Sequence, residues 1–583
     1  MNVKILIIGI VVACVAVAGI GAYFMLKEGG PGGGAEAMEI PRYPGATEFL
    51  VPSEAKSGLG VPAEATCEGY TTSAGAEDVM DWYKNQMDDW ILMSENSFSP
   101  PDQPEMTVCM QHYKKGENGA FIFAMSDPHI GGATILGIAT GPWSLIQGCG
   151  EGGYGEGENP PESKENDIAA VAKAREDIEV YRKGDVTLTI VDAQGQPRSG
   201  VAVDYTQTEH SFLFGFHNPE IENANTIIPL VKEIGFNSVF HMMNWSEAEW
   251  ERGVYNFDRW DNKLEVRDFC QAGFIGMGHS LIYFASPTPE FCMIPPCFLS
   301  LPFEELKEAV YPYVRRTVEY YENKIKIWNV INEPMMLDTN ALGLNEEQII
   351  EITKEGIQAI RGTDPEAQIM INVWPAGGEQ HGGMHPYDFL QDAIDAGVDF
   401  DIIGLEWYYN SYGASYWGGG PFLRRSLASI GEIIDLYSTL GKTIFVTEIS
   451  VPSEAIGRGY WGEPWSEELQ AEYLEAAYAI FFSRPQVEAI SCWDVTDRGA
   501  FIHHGGLVDN QNRPKNAHYA IKNLIENWTT TGTGVTDENG QVTFQGFGGT
   551  YEVVVSDPET GLGMEQEIVI EEQKNNVFTL VLE

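Results

Sequence analysis

Two glutamates, Glu333 and Glu448, sit where the sequence restricts their chemistry most tightly. The stretch "IKIWNVINEPMM" at 325–336 carries β-branched residues around Trp328, reads as a buried strand, and closes on Asn332 and Glu333. Pro334 ends regular pairing just beyond them. "TIFVTEIS" at 443–450 presents Glu448 in the same way. One strand-end glutamate alone reads equally well as an ion-pair or capping residue. A pair, one preceded by asparagine, can divide the labour of bond cleavage: one carboxyl gives a proton while the other attacks or stabilises charge. Paired carboxyls of this kind cleave glycosidic bonds.

Such a pair works only if the fold brings the two strand ends together. Strand-like runs begin near 212, 236, 276, 325, 368, 401, 443 and 489, with helical patterns between them. This alternation predicts an α/β chain whose main domain, 211–525, is a closed (β/α)8 barrel with its chemistry at the carboxyl ends of the strands. Strands four and seven then converge across the mouth. A doubly wound open sheet is the rival fold, and no glycine-rich phosphate loop follows the first strand to support it.

The motifs "WNVINEP", "VTEIS", "GHSLIYFASPTPEF", "FNSV" with "ERGVYNF", and "ISCWDVTDRG" with "GGLVDNQNRPKNAHYAI" occur in an order that resembles glycoside hydrolase family 10, the retaining xylanase family. The resemblance implies that Glu333 is the general acid/base and Glu448 the nucleophile. It also implies that Asn332 bonds the sugar 2-hydroxyl, that His279 contacts the sugar at the cleavage point, and that Trp493 is a sugar platform. Asp497 matches a family aspartate for which an ion pair and a substrate contact are both open. No metal or organic cofactor is implied.

The departures from that family pattern matter as much. After the second strand the usual Glu-Asn and Lys are replaced by "FHMMNWSEAEW", and the Trp-His after the third is Tyr283-Phe284. The sixth-strand Gln-Ser-His becomes Glu406, Trp407 and Tyr408, three further substrate-binding candidates. A Tyr408 hydroxyl can orient the nucleophile as the family histidine does, and Glu406 adds a third acid. The partner expected is therefore a β-linked polysaccharide or oligosaccharide, with xylan the family default. Glucan, mannan or an envelope glycan is the alternative substrate, and a non-catalytic carbohydrate-binding barrel the alternative function.

Length and composition set the frame. A chain of 583 residues with 43% hydrophobic content, 14 Trp and 25 Tyr calls for several folded domains. Its net charge of −50 excludes nucleic acid as a partner. Residues 5–26 are uncharged and mostly apolar, so 1–27 is expected to be a transmembrane signal-anchor that holds the catalytic domain outside the cell membrane. A Gly-rich spacer (28–39), a small α+β domain (40–145) and a Gly/Glu/Pro-rich linker (146–175) follow. A β segment (176–210) precedes the barrel, and a β-sandwich-like domain (526–583), built alone or together with that upstream hairpin, follows it. Cys67 with Cys109, and Cys292 with Cys297, are candidate disulfides; no zinc spacing occurs and no obligate protein partner is implied.

Overall fold

The computed structural model describes residues 40–49, 66–87, 90–98, 107–115, 118–126, 134–142, 161–218, 223–284, 293–335, 340, 342–375, 385–408, 427–454, 464–502 and 504–583. The expected anchor and spacer lie outside these residues. Among the described residues no helix is long and apolar enough to cross a membrane.

The described residues before 161 form one compact unit. Its strands β1 (Thr47–Phe49), β2 (Thr66–Thr72), β3 (Ile91–Phe98), β4 (Thr107–Lys115), β5 (Asn118–Ser126) and β6 (Thr134–Pro142) make an antiparallel sheet in the order β1-β2-β6-β5-β4-β3. The helix Ala76–Gln86 buries Val79, Met80 and Tyr83 against Tyr70, Tyr113, Ile122 and Leu136 of that sheet. Cys67 lies on β2 and Cys109 on β4, three strand steps apart, or roughly 14 Å at the usual spacing. A disulfide needs Cα atoms within about 7 Å, so this candidate pair is excluded. Cys292 lies outside the described residues.

The second unit opens with a helix, Pro161–Tyr181, where a linker was expected to run to 175. Composition misled the reading. Past Pro161, which suits a first helical position, the segment is rich in Ala, Glu and Lys, all good helix formers. The helix buries Ala174 and Ile178, and its Asp167 accepts the Ala428 N–H at 2.9 Å.

A β-sandwich comes next, built from both ends of this unit. Strands β7 (Lys183–Asp192) and β8 (Ala202–His210) join β19 (Thr531–Val535), β20 (Gln541–Phe547), β21 (Gly549–Ser556), β22 (Gly563–Ile570) and β23 (Asn575–Leu582). The sheets run β19-β8-β21-β22 and β20-β7-β23, so each includes one strand from before the barrel. Residues 526–583 thus build the sandwich together with the upstream hairpin and not alone. Buried Arg182 ties the sandwich to the barrel: it pairs with Glu572 at 3.2 Å and donates to the backbone carbonyls of Phe482, Arg484 and Val487.

Eight parallel strands close the barrel: β9 (Leu213–His217), β10 (Ser238–Met242), β13 (Ile275–His279), β14 (Ile325–Asn332), β15 (Gln368–Val373), β16 (Ile402–Tyr408), β17 (Thr443–Ser450) and β18 (Val487–Cys492). The small hairpin β11 (Glu249–Glu251) and β12 (Val254–Tyr255) follows β10. Each barrel strand contributes one side chain to an apolar layer of Leu213, Phe240, Met277, Ile327, Met370, Ile402, Phe445 and Ala489. Past that layer, toward the carboxyl ends, the interior turns polar.

Candidate active site

Glu333 stands just past β14 with φ of 46°, a left-handed conformation uncommon for any residue but glycine and unusual before proline. Its N–H donates to the Asn372 carbonyl at 2.9 Å, and its carboxyl accepts the Tyr283 hydroxyl at 2.8 Å. The strand thus turns away at Glu333 and leaves the carboxyl partly open to solvent. Glu448, on β17, is buried and accepts the Tyr408 hydroxyl. Each carboxyl therefore has its own tyrosine.

Asn372 joins the cluster. Its Nδ2 lies 2.7 Å from Asn332 Oδ1, 2.9 Å from Glu406 Oε1 and 2.9 Å from Glu448 Oε1. Thr447 holds the other end of the amide by donating to Asn372 Oδ1 at 2.6 Å. The fold makes room for this with Gly404, where a Cβ would stand 2.2 Å from Asn372 Oδ1. Ladder register shifts between Leu405 and Glu406 and between Val446 and Ile449, irregularities of a kind that re-aim side chains beside sites.

His279 is buried, and desolvation holds its imidazole neutral, lowering its pKa to about 3. Its Nδ1 faces the Asn329 amide nitrogen at 3.0 Å, which leaves the hydrogen on Nε2, 3.4 Å from Glu448 Oε1. Burial raises the pKa of Glu448, opposed by the Tyr408 hydrogen bond and reinforced by Glu333. Glu406 is driven well above the ordinary carboxylate range by burial and by the charges of Glu333 and Glu448. Trp493 is half-buried and stacks on His217 at 4.0 Å, with its ring steeply inclined to those of His279 and Tyr408. The arrangement can hold a proton on one carboxyl and a charge on another under one aromatic platform.

Glu333, Glu448, Asn332, His279, Glu406, Tyr408 and Trp493 thus meet at one mouth. Trp407 does not join them. Glu406 and Tyr408 bond inward, so Trp407 between them points to the opposite face of β16 and packs against Phe481 of the helix Glu467–Phe482. Asp497 is an ion-pair residue, 2.9 Å from Lys515 and 3.6 Å from His504. The second-strand replacements are also structural: Asn244 caps the helix Trp245–Ala248, and Trp245 stacks on Tyr313 and donates to Glu249 at 2.6 Å.

Sequence reading passed over Asn372 and Asp494. The first is the one amide inside the apolar run that follows Gln368 in "QIMINVW", a signal available in the sequence. Asp494 is buried, accepts from Ser450 Oγ and from the Phe501 and Ile502 N–H groups, and has its pKa raised to about 6 by burial. It fixes the loop after β18.

A closed parallel barrel with carboxyls gathered at its carboxyl-end mouth belongs to the TIM-barrel class, in which chemistry is kept at that end of the strands. Residues 206–524 match Glycosyl hydrolase family 10, and the chain belongs to that family. Curated relatives include the anti-sigma-I factor RsgI6 of Acetivibrio thermocellus, 25% identical over 68% of this chain and 48% of its own length. Endo-1,4-beta-xylanase B of Neocallimastix patriciarum is 23% identical over 48% of this chain and 30% of its own. The chain thus spans about half or less of these relatives. Among solved structures, xylanase 10B from Thermotoga petrophila RKU-1 in complex with xylobiose is 22% identical over 54% of this chain and 94% of that one, with a TM-score of 0.42.

Proposed function

We propose that the chain is a retaining glycosidase acting on a β-1,4-linked polysaccharide, with xylan the leading substrate. Glu448 is the nucleophile and Glu333 the acid/base. The observation that carries the reading is the hydrogen-bonded set of Glu333, Glu448, Asn332 and Asn372, each carboxyl steadied by its own tyrosine. In the first step the Glu448 carboxylate bonds to the anomeric carbon while Glu333 gives its proton to the departing oxygen. Glu333 then takes a proton from water as that water displaces Glu448. Neutral His279 and Tyr408 hold the nucleophile in line, and Trp493 offers a stacking face to the sugar ring.

The site departs from the usual pattern after the second strand, where Trp245 and Glu249 bond to each other instead of facing the mouth. This supports a glycone side with fewer polar contacts, on which a glucan, mannan or envelope glycan remains an alternative to xylan. The apolar segment 5–26 supports a single-pass anchor, with the barrel displayed outside the cell. A non-catalytic barrel that binds glycan without turning it over is the second reading, left open by a relative whose name, anti-sigma factor, is not that of an enzyme.

One experiment separates these readings. The wild type is assayed on a polysaccharide panel beside Glu448→Ala and Glu333→Gln, with product stereochemistry followed by NMR. Retention at the anomeric carbon and loss of turnover in both variants are expected. Inversion, or near-normal rates in either variant, overturns the assignment, and binding without turnover in the wild type selects the second reading.

A further inference from the structure

The mouth holds one carboxyl more than a two-carboxyl mechanism uses. Glu406 is 5% exposed, and its Oε1 accepts from Asn372 at 2.9 Å. Its carboxyl also lies within interacting reach of the Glu333 and Asn332 side chains. Two carboxyls can hydrogen-bond each other only if a proton lies between them. The groups around it are neutral: Asn372 shares its amide among Asn332, Glu406 and Glu448, Asn329 donates to Asn332 at 3.2 Å, and the Tyr283 and Tyr408 hydroxyls are committed to Glu333 and Glu448, so that among the described residues no Lys or Arg pairs with Glu406. His279, the nearby imidazole, is neutral and turned toward Glu448, so it brings no positive charge to Glu406.

We infer that Glu406 is a positioning residue that keeps its own proton through the catalytic cycle and donates it as a hydrogen bond to Glu333, so that the acid/base works as a carboxyl pair. The inference rests on the acid/base role proposed for Glu333. When Glu333 gives its proton to the glycosidic oxygen, the C–O electron pair goes to the leaving group and Glu448 takes the anomeric carbon. The new Glu333 carboxylate then accepts a charge-assisted hydrogen bond from the Glu406 hydroxyl, a bond stronger than the neutral one it replaces. Glu333 thereby becomes a better acid for poor leaving groups. As a base toward water it regains its proton without taking the one on Glu406. Burial and the facing charges of Glu333 and Glu448 favour the protonated form of Glu406, and the Tyr283 and Tyr408 hydroxyls add no charge near neutrality.

Two measurements on the full chain test this. Infrared difference spectra of Glu406→Gln against wild type at pH 7 should show the loss of a protonated-carboxyl band, a readout that needs no turnover and stands even if the glycosidase reading fails. Loss of a carboxylate band instead overturns the inference. Kinetically, Glu406→Met should lower kcat on unactivated glycan at least tenfold more than on an aryl glycoside whose leaving group needs little protonation. In Glu406→Gln the basic limb of kcat/KM should move upward. A residue with only a structural role would depress both substrates alike and leave the limb in place, and that result also overturns the inference.

Discussion

The barrel interior has two layers that follow opposite rules. In the lower one, every strand gives one apolar side chain, from Leu213 to Ala489, and no polar group needs a partner. In the upper one, Glu406 and Glu448 are buried with Asn332, Asn372 and His279, and Glu333 sits beside them in a left-handed conformation. The lower layer gains free energy from removing surface from water. The upper layer spends some of it on desolvated acids and a residue in a sparsely populated conformation, a cost of order 1–3 kcal/mol for the backbone alone. Stability and reactivity are thus separated by about one turn of side chains along the same strands.

Breaking the upper layer should therefore cost rate and not stability. Glu448→Ala is expected to lower kcat by about 10⁴-fold or more, roughly 5 kcal/mol of transition-state stabilisation. It removes a buried acid, so its melting temperature should equal or exceed that of the wild type. A variant that is inactive because it is unfolded would contradict the separation. The lower layer should respond the other way. Phe445→Ala leaves a cavity in the closed ring and is expected to cost about 3–5 kcal/mol in denaturant unfolding, with kcat per folded molecule within a few-fold of wild type.

Gly404 lies where the layers meet, and its variant should affect both. In Gly404→Ala the new Cβ competes with Asn372 Oδ1, Met370 Sδ and the Thr447 methyl, at 2.2, 2.9 and 2.9 Å. Asn372 must shift, and with it the hydrogen bonds to Asn332, Glu406 and Glu448. A loss of about 1–3 kcal/mol in stability is expected together with a fall in kcat. If stability alone changed, Asn372 would not be the link between backbone and carboxyls.

The lower layer and the outline of the barrel were legible because parallel strands covered on both faces read as nearly continuous apolar runs, as "IKIWNVIN" and "TIFVTEIS" do. Glu333 and Glu448 were legible because a charge that ends such a run breaks its pattern. The partners of these two were harder to see. Asn372 and Tyr283 act through contacts between strands distant in sequence, and no local spacing records them. Trp407 was misassigned because three consecutive residues were read as one motif, although alternation along β16 sends the middle one to the helices. The helix at 161–181 was hidden by its Gly- and Glu-rich approach, whereas the sandwich was legible because the segments at both ends of the unit alternate apolar with polar residues around Gly-containing turns.

The smallest predicted effect isolates the cost of the upper layer by pH. A carboxyl whose folded pKa is raised carries a proton that the unfolded chain has released, so between the two pKa values stability falls as pH rises. Glu406 has its pKa raised by burial and by the charges of Glu333 and Glu448. The buried imidazoles of His217, His241 and His279, lowered to about 3 by desolvation, act in the opposite sense: acidification through about 6.5 protonates them only in the unfolded chain. Above about pH 7.5 they are nearly all neutral in both states and contribute little slope, which leaves the carboxyl. Wild-type stability should then decline from about pH 7.5 to 8 by up to about 1.4 kcal/mol per pH unit for each proton retained. Glu406→Gln should flatten that decline while leaving the acid side to the histidines. Thermal melts across the range decide it: equal slopes in the wild type and the variant would mean that Glu406 holds no extra proton, and the contrast between the two layers would then rest on geometry alone.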